Sequence, residues 1–241
     1  MLTGGIRLGR FFNVSLYLNP WWFLILFLNV IPLLIPGEDF NPTAAGLNLI
    51  IIIGIYVSVV IHEYAHVFAA RHYGIGTRRI TIHIFGGAAQ LEGIPFGLRE
   101  CAISIAGPIC SAVLAIPLLL IARTFTPLVD SNVLFKLLDI VYIIGVINVI
   151  LCIFNVLPIF PMDGGRVLRG LLFYFTKRIR LSTTIAVVVA AITIPVTFHF
   201  LLPLNIWSVM IMLLLVLMAL TELSFILVRY NDDGSLKELK Q

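Results

Sequence analysis

Residues Ile50–Ala70 read IIIIGIYVSVVIHEYAHVFAA, an apolar run broken near its end by two histidines and a glutamate. His62 and His66 are four residues apart, so on a helix they project from one face, and Glu63 follows the first. Ionisable side chains are costly in hydrocarbon, so each marks a functional site by default. A chain with such a segment must build a membrane bundle that gives those three groups partners.

Composition agrees. Of 241 residues, 60% are hydrophobic and 12% charged, against about 45–50% and about 25% in soluble domains. That makes the chain an integral membrane protein. The net charge of +4 follows from basic residues on one side of a membrane and does not call for nucleic acid. Cys101, Cys110 and Cys152 are odd in number, lack C-x-x-C spacing and sit in or beside apolar runs, as small buried hydrophobes do. Arg7 and Arg10 precede the first apolar run, but it opens with Pro20-Trp21-Trp22 and no small-residue cleavage site follows. Trp21 and Trp22 suit an interfacial belt.

Six hydrophobic segments predict an all-α polytopic bundle: Pro20–Ile35, Gly46–Ala70, Ala102–Ile121, Val133–Phe154, Thr184–Leu202 and Leu204–Val228. A spanning helix needs about 20 apolar residues, so the first is short. With a cytoplasmic N-terminus, the inner side carries fourteen of the sixteen Lys and Arg, and the outer side only Arg123 and Lys136. Both termini are therefore expected in the cytoplasm, with the linker Pro36–Pro42 outside. The second helix then runs inward, which sets His62 and His66 ~7–14 Å below the inner surface near Arg71. The fourth segment runs the same way, so polar groups at its end share that leaflet.

Between the second and third helices, Ile80, Ile82 and Ile84 alternate with Thr81, His83 and Phe85 before Gly86-Gly87. This predicts a small β-strand or hairpin within Arg78–Gly93. On the third helix Ala102, Ala106 and Cys110 form a row that lets a neighbour approach. Pro158 and Pro161 should end the fourth helix, which delivers Asp163 on non-helical chain and leaves Val167–Arg180 as an interfacial helix.

His-Glu-x-x-His is the zinc-hydrolase spacing. Catalytic zinc takes three protein ligands and leaves a position for water. Asp163 is the preferred third ligand because it shares the leaflet, and Glu92, 26 residues after His66 in the inner loop, is its competitor. Glu222 suits pairing with a cation, whereas Asp130 and Asp139 belong to the outer half. His72 turns away from the ligand face, His199 lies in the wrong leaflet, and His83 reads as a hydrogen-bonded loop histidine. Glu63 should not bind metal; it can take a proton from the attacking water and deliver it to the leaving amine. Asn155 reads equally as a helix-terminating cap or as a donor to the substrate backbone or a tetrahedral intermediate.

HEYAH in the second helix, Ala106-Gly107-Pro108 in the third, and Asn155-x-x-Pro158-x-x-Pro161-x-Asp163-Gly164 together resemble the site-2 protease family of intramembrane zinc metalloproteases. The resemblance covers the six-span core. It implies that His62, His66 and Asp163 bind Zn2+, that Glu63 activates water, and that a membrane-anchored protein is cleaved within its transmembrane helix. The whole of 1–241 reads as a single transmembrane domain with no appended soluble regulatory module. Two rivals use the same residues: a membrane zinc carrier, and a catalytically silent binder of transmembrane clients.

Overall fold

The computed structural model describes residues 5–37, 40–83, 86–128, 131–201 and 205–237. The chain forms two compact units, Met1–Gly93 with Ile109–Cys152 and Ile94–Pro108 with Ile153–Gln241.

The first unit is organised on α2 (Pro42–His72). The Asn41 side chain accepts the amide of Ala44, and Pro42, which has no amide to satisfy, opens the helix. Its 31 residues give a rod of about 46 Å, longer than the ~30 Å of bilayer hydrocarbon. Four strands, β1 (Ile6–Phe11), β2 (Val14–Leu18), β3 (Thr77–His83) and β4 (Gly86–Leu91), form one sheet in that order. β2 and β3 run parallel and the other pairs antiparallel. The expected hairpin is thus present as β3–β4, although Ile84 and Phe85 of its pattern lie outside the described residues. The two N-terminal strands were not anticipated. Val14 and Leu16 join Ile80 and Ile82 on one face, packed on Val59, Tyr64 and Val67 of α2.

The segment Pro20–Ile35 is not one long helix. It forms α1 (Trp22–Asn29) and a 3-10 turn (Ile31–Leu34). Pro32 disfavours α geometry at Ile31 and lacks an amide for the helical ladder, so the helix stops short of it. Val30 packs with Ala45 and Ile52, Asn48 Nδ2 donates to the Asn29 carbonyl at 3.2 Å, and the Asn41 amide donates to that of Leu33 at 2.8 Å. The sheet therefore covers the C-terminal half of α2, and α1 with its turn covers the N-terminal half. α3 (Leu98–Phe125) and α4 (Asn132–Val156) supply the rest of this unit. Gly54 of α2 leaves room for Ile144 of α4, and Gly145 for Leu119 of α3.

The second unit contains the start of α3, the end of α4, and α5 (Asp163–Thr176), α6 (Ile179–Leu201) and α7 (Ile206–Arg229). α4 ends at Val156, close to the expected boundary. After the connecting turn, Asp163 is the first helical residue of α5, not a residue of irregular chain, and the helix ends at Thr176. The reason is steric. Gly164 and Gly165 carry no Cβ, so the first turn of α5 lies directly on the backbone of Val156–Phe160.

Among the described residues, five helices are long and apolar enough to cross a membrane: Pro42–His72, Leu98–Leu128, Asn132–Val156, Ile179–Phe200 and Ser208–Arg229. Six spans were expected; the first segment, divided at Val30, does not reach that length. Glu38 and Asp39 of the linker Pro36–Pro42, and Leu202 and Leu204 at the fifth and sixth boundaries, lie outside the described residues.

Candidate metal centre

α2 places His62 and His66 one turn apart. Both are buried, and their Nε2 atoms face each other at 3.2 Å. Two imidazoles bound to one zinc at ~2.0–2.1 Å with a tetrahedral angle would hold their nitrogens ~3.3 Å apart. The observed spacing therefore fits that ion. His62 Nδ1 lies 2.9 Å from the hydroxyl of fully buried Ser111 on α3. That bond fixes the ring and leaves Nε2 for a metal.

Glu63, also buried, turns toward the sheet, where its Oε2 accepts the Ala89 amide at 3.0 Å. The strand phase explains why this amide is available. The Ile82 carbonyl accepts from Asn19 beside β2, so Ile80 and Ile82 direct their peptide groups toward β2, and Thr81 and His83 toward β4. Their partners Ala88 and Gly86 pair inward, whereas Ala89 and Gly87 direct theirs to the open edge. Glu63 therefore sits on the free edge of β4. Gly87 is required beneath it, because a Cβ there would overlap Glu63 Cγ, Cδ and Oε1.

In the second unit, Asp163 is buried in the first turn of α5, where the helix dipole favours a carboxylate. Two turns on, buried Arg169 anchors the helix. Its Nε donates to Glu100 at 2.9 Å and its Nη1 to Glu222 at 2.6 Å, and its guanidinium lies 5.2 Å from the Phe160 ring centre. Burial pulls the Arg169 pKa down, but the two carboxylates outweigh it and hold the group above its ordinary value. The cation expected for Glu222 is thus Arg169. Gly170 packs on Gly97 and Cys101 of α3, where a Cβ would approach the Gly97 carbonyl to 2.7 Å.

The first unit thus offers two buried imidazoles with facing Nε2 atoms, and the second unit offers one buried carboxylate, Asp163. Glu92 of the first unit is exposed, and its carboxylate lies against Gly76. His83 stands on β3 within 3.1 Å of the Asn19 amide nitrogen, in the hydrogen-bonded role expected. His72 and His199 are exposed, and Asn155 occupies the last turn of α4. The three cysteines are free thiols. Sequence reasoning missed Ser111 and Arg169, which carry no local signal. It also read Gly86-Gly87 as turn chemistry, although Gly87 serves a close approach.

The family model "Peptidase family M50" matches residues 50–132 and 130–202. A putative zinc metalloprotease from Synechocystis sp. is 35% identical over 185 residues, 73% of this chain and 46% of the relative. A zinc metalloprotease from Methanocaldococcus jannaschii is 37% identical over 123 residues, 51% of this chain and 34% of the relative. This chain thus spans less than half the length of those two curated relatives. A solved structure, the site-2 protease from Methanocaldococcus jannaschii, aligns over 99% of both chains with a TM-score of 0.63 and 28% identity.

Proposed function

The chain belongs to peptidase family M50, and on that premise we propose that it is an intramembrane zinc endopeptidase that hydrolyses peptide bonds within transmembrane segments of membrane-anchored proteins. The paired Nε2 atoms of His62 and His66 at 3.2 Å, next to a buried Glu63, carry the reading, with the buried carboxylate of Asp163 as the third donor. Two imidazoles and one carboxylate are the donor set of a catalytic zinc site with one position left open.

Zinc bound there lowers the pKa of water and polarises the scissile carbonyl. The protein's own groups do the rest. His62, oriented by Ser111, and His66 present Nε2, and Asp163 supplies the negative charge. Glu63 takes the proton of the attacking water and passes it to the leaving amine. Asn155 orients the substrate backbone. The open edge of β4 pairs with an unwound substrate segment, which exposes the amides that a helix hides.

Five long helices, with β2, α1 and the 3-10 turn as a stepwise sixth crossing, give the bundle. The support is geometric: residues 19–41 must lead from beside β3 to the start of α2, about 25 Å measured along α2 from Val59. Both termini lie on the cytoplasmic side of the cell membrane, a placement the bias in Lys and Arg supports, and the water path to the site opens on the same side. The match of the family model to 50–132 and 130–202, stretches drawn from both units, supports reading the two as parts of one catalytic domain.

The test measures zinc and cleavage of a model transmembrane substrate together. Wild type should hold one zinc per chain and cleave, Glu63→Gln should keep zinc and lose cleavage, and Asp163→Asn should lose both. Cleavage by Glu63→Gln rules out the mechanism. Zinc bound without cleavage by wild type favours a carrier or a client-binding protein.

A further inference from the structure

Within the first unit, a cavity of about 740 Å³ lies between the end of α3, the 3-10 turn Thr126–Leu128 that follows it, and α4 from Phe135 to Ile150. None of the residues described for the metal centre lines it. Most of the wall is apolar, with Leu119, Val149 and Ile150 among its side chains, and it is joined by Arg123, Asp139 and Tyr142. The size falls within the ~300–1,000 Å³ of small-molecule sites.

The two charges lie at similar depth. Arg123 is ~7 Å before the end of the Leu98–Leu128 span, and Asp139 ~10 Å after the start of α4, at 1.5 Å per residue. Both therefore stand within about two turns of the linked ends of the two helices, and both are exposed. No ion pair joins them. Ile150 lies eleven residues beyond Asp139, ~16 Å deeper along α4. The cavity thus has a cation and an anion toward one end and an apolar floor about as long as much of an acyl chain.

We propose that this cavity is a binding site for a single aminophospholipid of the phosphatidylethanolamine type. Arg123 takes the phosphate in a charge-assisted contact. Asp139 takes the primary ammonium, and the Tyr142 hydroxyl donates to a glycerol ester carbonyl. One acyl chain lies along Leu119, Val149 and Ile150. A purely anionic lipid would satisfy Arg123 but set its charge against Asp139, so charge complementarity selects the zwitterion. The site does not depend on the proteolytic reading.

The test uses the full chain in bilayer discs of phosphatidylglycerol, doped with a trace of photoreactive phosphatidylethanolamine or photoreactive phosphatidylglycerol, each with a diazirine in the acyl chain. Adducts are mapped by peptide mass spectrometry. In wild type the ethanolamine probe should label peptides of 119–126 and 135–150 at least fivefold more than the glycerol probe. Arg123→Gln should lower labelling by the ethanolamine probe about tenfold, the effect of one charge-assisted contact. Asp139→Asn should abolish the preference between probes, and Ile150→Trp, which fills the floor, should reduce labelling by both. Thermal melting checks that each variant is folded. Equal labelling by both probes in wild type, or labelling indifferent to Arg123→Gln and Ile150→Trp, means a general lipid annulus and overturns the proposal. Competition by millimolar glycerophosphoethanolamine also overturns it, in favour of a soluble phosphate ester.

Discussion

The carboxylate of Glu63 and the amide of Ala89 meet at 3.0 Å, which joins the proposed proton acceptor to the free edge of β4. Any peptide that pairs with that edge at Ala89 must take the amide from Glu63. Pairing of substrate and release of the carboxylate then become one event, and the base is freed where the unwound segment arrives. Gly87 beneath it makes the room that this carboxylate occupies.

Gly87→Ala should therefore displace Glu63 and leave the ligands in place. We expect cleavage to fall by a factor of ten to a hundred, consistent with the ~1–3 kcal/mol of a forced overlap, with zinc content unchanged. Parallel measurement of bound zinc and of the cleavage rate decides it; unchanged cleavage would show that the side chain has another place to go.

Ser111→Ala removes the partner of His62 Nδ1. Loss of such an orienting hydrogen bond typically weakens metal binding ~10–100-fold. Competition against a chromophoric chelator should show that loss, with Ser111→Thr recovering part of it. Equal affinity in Ser111→Ala would mean that packing alone orients the ring.

A methyl group on Gly165 would approach the carbonyl carbon of Ile159 and the amide nitrogen of Phe160 to 2.8 Å each. Backbone cannot rotate away as a side chain can. Gly165→Ala should shift Asp163 and lower zinc affinity at least tenfold. Gly46→Ala is the contrast, since nothing lies within 4 Å of that position in α2; it should stabilise by ~0.5–1 kcal/mol through helix propensity. Thermal melting and zinc titration of the two variants test both halves of the statement.

Arg169→Met leaves buried Glu100, and half-buried Glu222, without their cation. Breaking such a pair from one side costs about 3–5 kcal/mol, read as a large drop in melting temperature. Adding Glu100→Gln and Glu222→Gln should recover much of it. Failure to recover would show that the packing of Arg169 on Phe160, more than its charge, holds α5.

Much of the site could be read from the sequence because its parts are local. His62 and His66 share a face through helical period alone, and Pro158 and Pro161 announce the end of α4 wherever it packs. β3 shows in the alternation of Ile80 and Ile82 with polar neighbours. Val14 and Leu16 alternate in the same way and pair locally with β1, but β3, their other partner, is some sixty residues away, and five residues of period two do not specify a partner at that distance.

Three things are legible without any fold: this chain lives in a membrane, two histidines and a glutamate share one turn of a long apolar helix, and Asp163 follows a broken helix end. These follow from hydropathy, period and proline stereochemistry, which act over a few residues. It took the folded chain to show that Ser111 lies on His62, that Glu63 rests on the Ala89 amide, and that segment 20–35 divides into a short helix and a turn. Those are choices among groups far apart in sequence. They are settled by where the backbone can approach closely, at Gly87, Gly164 and Gly165, and by which buried polar atoms must find a partner.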